Sequence, residues 1–167
     1  MSYLTELLNS THNKKNFSCG KKLLDDYLHT QAKQDIKRRL SACFILSDDD
    51  DKVKGYYTLS STSINRELLP ETIIKKLPPS YHNLPSTLLG RLAIDNNYKG
   101  QRLGELLLMD ALKRSYEVSL SSIGSMAIIV NPLDAEAIQF YKKYGFIYLP
   151  DSGKMFISMD TVSELFK

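Results

Sequence analysis

Cysteine is scarce in this chain. Cys19 and Cys43 are the two present, too few for a disulfide framework, and neither sits in a CxxC or Cys/His cluster. That excludes the disulfide-stapled class and argues against a structural zinc. Both read as free thiols packed as small hydrophobes in a reducing cytosol. Long apolar runs are also missing, since none approaches the roughly 20 residues of a membrane span. Met1 to Asn16 lacks a basic flank followed by an apolar stretch, so the expectation is a cytoplasmic protein with no signal peptide and no membrane association. Neither sign of charge dominates: 22 Lys and Arg stand against 19 Asp and Glu, a net charge of +3. That permits an anionic partner without demanding one. There is no internal repeat and no linker-like segment. The 167 residues fit one domain over 1–167 with a core of adequate size.

What is there divides into alternating elements. Tyr3 to Leu8 is apolar enough for a first strand. Phe17-Ser18-Cys19-Gly20 leads into a helix over Lys21 to Arg39, whose Leu24, Tyr27, Leu28 and Ala32 recur at helical steps. Ala42 to Leu46 and Val53 to Ser61 read as strands joined by a solvated turn at Asp48-Asp49-Asp50-Asp51. Pro70, Pro78, Pro79 and Pro85 make 62–87 irregular, interrupted by a short helix from Glu71 to Lys76. Leu88 to Ile94 is a strand and Gly100 to Tyr116 a long helix. Met126 to Val130 is a strand covered on both faces. Asp134 to Tyr144 is a helix ended by Gly145, and Phe146 to Leu149 and Met155 to Met159 are the last strands. This order predicts an α/β (α+β) fold around one mixed sheet, with at least one strand–helix–strand crossover.

The chemistry concentrates where Leu88-Leu89-Gly90-Arg91-Leu92-Ala93-Ile94-Asp95 runs through Asn96-Asn97-Tyr98-Lys99-Gly100-Gln101-Arg102-Leu103-Gly104 into an amphipathic helix. A strand, a short glycine-containing loop and a helix N-terminus form a phosphate cradle, because the first N–H groups of a helix lack intrahelical acceptors and carry partial positive charge. The loop is not a P-loop, since Glu105 follows Gly104, and two glycines at this spacing do not make the dinucleotide fingerprint. Two readings stay open from spacing alone: a cradle, or a turn at Gly100 with close helix packing at Gly104.

After the apolar strand comes Asp134-Ala135-Glu136-Ala137-Ile138-Gln139-Phe140-Tyr141-Lys142-Lys143-Tyr144-Gly145-Phe146. Here the sequence resembles the GNAT superfamily of acyl-CoA N-acyltransferases. Its first signature is a strand followed by a (Gln/Arg)-x-x-Gly-x-(Gly/Ala) loop, and its second is a helix closing with Phe-Tyr-x-x-x-Gly-Phe. Residues 140–146 match the second in full, and the two occur in the expected order. Lys99 departs from the Gln or Arg of the first signature, and Arg102 stands where its middle glycine usually sits. The Arg102 side chain either points away or clamps a phosphate. The resemblance implies a mostly antiparallel, splayed central sheet with helices on both faces, acetyl-CoA as cosubstrate and no metal. It implies backbone contacts to the pantetheine arm from Leu92, Ala93 and Ile94. Lys99, Gly100, Gln101, Arg102, Leu103 and Gly104 would surround the phosphates, with Asp134 at the second helix. Tyr141 is the implied general acid for the departing thiolate, against a bland reading as a core aromatic.

A narrower resemblance is carried by Phe17-Ser18-Cys19-Gly20, Leu24-Asp25-Asp26-Tyr27-Leu28, Gln31-Ala32-Lys33-Gln34-Asp35, Gly55-Tyr56-Tyr57-Thr58-Leu59-Ser60 and Leu89-Gly90-Arg91-Leu92-Ala93. These are similar to a GNAT subgroup of toxins from toxin–antitoxin pairs. It implies acetylation of the α-amine of aminoacyl-tRNA, a block on translation and a ribbon-helix-helix antitoxin partner. A homodimer is compatible with it. The residues agree: Lys33, Lys37, Arg38 and Arg39 form a basic helix end, and Arg91 lies beside the cradle. Such a cluster suits phosphates, although a solvated helix end complementing the dipole has the same composition. An α-amine near pKa 8 is substantially neutral and needs no strong base, and the candidate carboxylate beside the cradle, Asp95, reads as a loop cap. Two alternatives stand beside this reading: an acetyltransferase of a small amine or protein N-terminus, and a pseudoenzyme that uses the fold only to grip a partner.

Overall fold

The computed structural model describes residues 2–167. Seven strands form one sheet: β1 (Glu6–Leu7), β2 (Ala42–Ser47), β3 (Val53–Asn65), β4 (Asn83–Ile94), β5 (Ala127–Val130), β6 (Ile147–Leu149) and β7 (Lys154–Ser158), in the order β1-β2-β3-β4-β5-β7-β6. β1 with β2, β2 with β3, β5 with β7 and β6 with β7 pair antiparallel. β4 pairs parallel with β5, at Thr87 and Leu88. The helices are α1 (Lys22–Asp26), α2 (Ala32–Lys37), α3 (Glu71–Ile74), α4 (Leu103–Ser121), α5 (Ala135–Lys143) and α6 (Met159–Leu165). The mixed, largely antiparallel sheet with helices is the architecture expected from the sequence.

The chain groups into two compact units. The first comprises Met1–Ser60 and Leu89–Arg114, the second Ser61–Leu88 and Ser115–Lys167. In the first, Phe17, Tyr27, Leu28, Cys43, Tyr56 and Ala93 are among the residues of a buried cluster. Both cysteines are free and buried, as their count predicted. A polar network ties the N-terminus to α4: the Asp110 carboxylate accepts from Leu4 N, Thr5 Oγ1 and Tyr57 Oη. In the second unit, Ile64, Leu84, Ala127, Ile129 and Phe156 are core residues. The Arg66 guanidinium donates to the carbonyls of Ile74, Leu77, Pro78 and Tyr81, fixing the excursion between β3 and β4.

Several boundaries differ from the sequence expectation, each for a physical reason. The first strand shrinks to two residues. The helix expected over 21–39 contains a π turn at Tyr27–Gln31 and stops at Lys37. Arg39 then takes φ 59°, with Arg39 N on Ile36 O and Leu40 N on Asp35 O, a Schellman ending with arginine where glycine is usual. β4 begins at Asn83 and not at Leu88. Pro85 concealed it, but proline forfeits only a donor, and its carbonyl accepts from Met126 N. α4 begins at Leu103, because Gly100 and Arg102 hold positive φ, and runs to Ser121. α6 was not anticipated, although Ser158 caps it through Thr161 N and Met159 and Val162 bury its inner face.

Candidate active site

In the first unit, β4 ends in a loop held from several sides. Asp95 is buried, and its carboxylate accepts from Ser18 N at 3.0 Å and Asn97 N at 2.8 Å. Its backbone N–H donates to Lys54 O, and Asn96 N donates to Ser18 O. The Lys99 ammonium donates to Cys19 O at 2.5 Å, so part of its donor capacity tethers the loop. Asp95 is thereby occupied as the cap that the sequence suggested.

Beyond this anchored turn, Gly100 takes φ +83° and Arg102 φ +59°, flanking Gln101. Alternation of φ sign along a short segment turns successive N–H groups toward one concavity, a natural anion nest. Leu106 N reaches back to Arg102 O, so the N–H groups of Leu103, Gly104 and Glu105 precede that bond and head a 19-residue helix. A Cβ at Gly100 would meet nothing within 4 Å, leaving the approach to the backbone open. Lys99, Gly100, Gln101 and Arg102 are exposed, Leu103 and Gly104 half-buried. Leu92 and Ile94 are half-buried on β4, beyond its pairing with β5. The Ala93 side chain is in the core, which leaves its backbone for any ligand contact.

The basic residues separate into two kinds. Lys33, Lys37, Arg38 and Arg39 are all exposed. Arg91 is half-buried, with its guanidinium carbon 3.5 Å from the centroid of the Tyr27 ring. Tyr27 in turn donates its hydroxyl to the buried Asp35 carboxylate at 2.8 Å. The sequence had not singled out Tyr27 and Asp35 as site residues. Residues eight apart are rotated by roughly 80° on an unbroken α-helix. The extra residue of a π turn reduces that to roughly 20°, so the irregular turn itself aligns them.

In the second unit, the signature at 140–146 is a helix ending. Asp134 caps α5 through Ala137 N at 2.9 Å. At the other end Gly145 N donates to Lys142 O and Phe146 N to Tyr141 O, with Gly145 at φ +98°. This is a Schellman motif, and its customary apolar contact is the Tyr141–Phe146 ring pair at 5.1 Å. Phe140 meets Tyr141 edge-on at 5.2 Å. The glycine supplies the left-handed turn, and the two aromatics fix the tyrosine ring. Tyr141 is 8% exposed, and its hydroxyl makes no hydrogen bond to the described residues. Burial alone pushes that hydroxyl's pKa well up. The group therefore holds its proton at neutral pH.

Among the described residues, no group of three or more His, Cys, Asp or Glu is arranged to hold a metal ion, and no helix is long and apolar enough to cross a membrane. The acetyltransferase (GNAT) domain family matches residues 39–148. The tRNA-acetylating toxin of Mycobacterium tuberculosis is 36% identical over 135 residues, covering 81% of this chain and 78% of the relative. The solved structure of AtaT complexed with acetyl-methionyl-tRNAfMet superposes with a TM-score of 0.89 at 31% identity, covering 98% of both chains. A tyrosine-to-phenylalanine mutant of AtaT, bound to the C-terminus of the antitoxin AtaR and acetyl-CoA, superposes with a TM-score of 0.82 at 27% identity, covering 98% of this chain and 97% of that one. By the domain it contains and the relatives it matches along most of its length, the chain belongs to the GNAT acetyltransferases.

Proposed function

We propose that this protein, as one acyltransferase domain, transfers the acetyl group of acetyl-CoA to the α-amine of aminoacyl-tRNA and so arrests translation as the toxin of a toxin–antitoxin pair in the cytoplasm. The observation that carries the acceptor is the likeness to AtaT with acetyl-methionyl-tRNAfMet, which extends over 98% of both chains. The cradle fits the cosubstrate. Its two positive-φ residues and the head of α4 present N–H groups to a diphosphate, and Gly100 leaves the approach clear. Leu92 and Ile94 offer backbone groups on β4 to an extended amide-bearing arm. When bound, acetyl-CoA supplies the acyl group as an activated thioester.

The chain's own residues then have two tasks. Tyr141 holds a proton on its unpartnered hydroxyl and delivers it to the leaving sulfur. The exposed Lys33, Lys37 and Arg38, with Arg91, hold the polyanion whose amine reacts. Asp95 is engaged by two backbone N–H groups and is no base. That suits an α-amine, which is substantially neutral near its ordinary pKa of about 8. The matching inhibitor is a ribbon-helix-helix antitoxin whose C-terminal segment binds the enzyme, as AtaR's does with AtaT.

The test is a cell-free translation system supplied with purified protein. Arrest that needs acetyl-CoA and is relieved by adding excess charged tRNA is expected. Unimpaired translation, or arrest independent of acetyl-CoA, would overturn the reading.

A further inference from the structure

We propose that Tyr27, held by Asp35, is the positioning residue that presents the Arg91 guanidinium edge-on to a phosphodiester of the acyl acceptor. This rests on the aminoacyl-tRNA reading above. Arg91 is half-buried, yet its side chain makes no hydrogen bond or ion pair with the described residues. A guanidinium taken partly out of water without hydrogen-bond partners is costly unless a ligand satisfies it. What it has is a ring: its central carbon lies 3.5 Å from the Tyr27 centroid. At that separation the thickness of the two π-systems allows only a near-parallel approach. Stacking of this kind uses the flat face and leaves the fork of N–H donors in the plane, pointing outward, in the arrangement that grips an oxyanion bidentately.

The ring is itself immobilised. Its hydroxyl donates to buried Asp35 at 2.8 Å, and Tyr56 lies parallel to it with centroids 6.4 Å apart. Tyr56 in turn donates to Leu24 O at 2.7 Å. The π turn at Tyr27–Gln31 brings Tyr27 and Asp35 into line. Arg91 and Asp95, where the cradle begins, are four residue steps apart, roughly 13 Å along the extended chain. The Tyr27 ring on which Arg91 stacks lies in the π turn that runs directly into α2, the helix that carries Lys33 and Lys37. The anion at Arg91 therefore belongs to the acceptor and not to the coenzyme.

The experiment is a double-mutant cycle of Arg91→Ala and Tyr27→Leu, read as KM and kcat for charged tRNA across a salt series. Each single change should raise KM for charged tRNA by roughly 10- to 100-fold, the loss expected for a charge-assisted contact. Each should also flatten the slope of log KM against log salt by about one. The double variant should be no worse than Arg91→Ala, and acetyl-CoA affinity should hold throughout. A fault in packing alone would not move the salt slope. Additive effects, or a Tyr27→Leu enzyme with the wild-type slope, would overturn the inference. Arg91→Lys decides the matter if Tyr27→Leu does not fold. It keeps the charge but presents no planar fork and no flat face to the ring, so KM should rise while the salt slope stays nearer the wild-type value than in Arg91→Ala, and wild-type KM in Arg91→Lys would refute the positioning role. A wild-type enzyme that leaves charged tRNA unacetylated would instead overturn the acceptor reading.

Discussion

Arg102 offers a way to separate stability from ligand binding in one residue. It occupies a left-handed conformation at φ +59°, where a side chain costs about 1–2 kcal/mol relative to glycine. Arg102→Gly relieves that strain but gives the unfolded chain extra freedom, costing about 0.4–1 kcal/mol. The net gain is about 0.5–1 kcal/mol, which in a chain of this size raises Tm by about 1–4 °C. The same substitution removes the guanidinium. If it grips a phosphate of acetyl-CoA, affinity falls by about 1.5–3 kcal/mol, or roughly 10- to 100-fold. Arg102→Ala should lose the same affinity without the stability gain, because alanine keeps the strain. Arg39→Gly is the internal control: Arg39 sits at φ +59° at the end of α2, so Tm should rise while acetyl-CoA binding is unchanged. Ligand-free melting and isothermal calorimetry measure the two quantities separately. An Arg102→Gly protein that melts lower would refute the strain argument. One that binds acetyl-CoA as the wild type does would assign the guanidinium to solvent.

Tyr141→Phe keeps both aromatic contacts and removes a hydroxyl that has no hydrogen-bond partner among the described residues. Melting temperature and acetyl-CoA affinity should barely move, while kcat falls by roughly 100-fold or more in steady-state assays. Wild-type turnover would make the phenol structural. Reversing the exposed Lys33 and Lys37 to Glu should raise KM for charged tRNA and flatten its salt slope by about two. Acetyl-CoA binding, followed by calorimetry, should be untouched. Alkaline stability follows from the buried acids. Burial pushes Cys43 up to about 12 from an ordinary 9.0 and Tyr27 up to about 12 from 10.0, with Tyr56, Tyr57 and Tyr141 also raised. Folded-state values above the unfolded ones mean that the unfolded chain sheds protons first. Stability is then complete below about pH 9 and declines as pH rises from there toward the folded values. Urea titrations on either side of pH 9.0 should show the decline, and Cys43→Ala should delay its onset. A flat profile would contradict the burial.

The sheet was legible because it rests on local pattern. Apolar runs gave β2 and β5 to within a residue or so, and Gly145 marked the end of α5. Asp95 is the loop cap that its position at the strand end suggests, and Asp134 caps α5. The signature at 140–146 was read as a family mark, and its physical content is a Schellman motif with its aromatic contact. Three features were hidden. Pro85 masked the first half of β4, since a strand rule penalises proline without knowing which edge its carbonyl serves. The start of α4 depended on positive φ at Arg102, which residue type argues against. The alignment of Tyr27 with Asp35 needs a π turn, since an α-helical period of 3.6 residues leaves the two roughly 80° apart.

The central claim is that the acetyl group passes to the amine of a charged tRNA, and the direct measurement is transfer of label. Purified protein is mixed with labelled acetyl-CoA and charged tRNA, the aminoacyl ester is then cleaved, and the released product is identified. Label on the N-acetylated amino acid, absent with uncharged tRNA and strongly reduced in Tyr141→Phe, is the expected result. Label on a polyamine or a protein N-terminus, with charged tRNA left unmodified, would contradict the claim while leaving the acetyltransferase fold and its cradle as described.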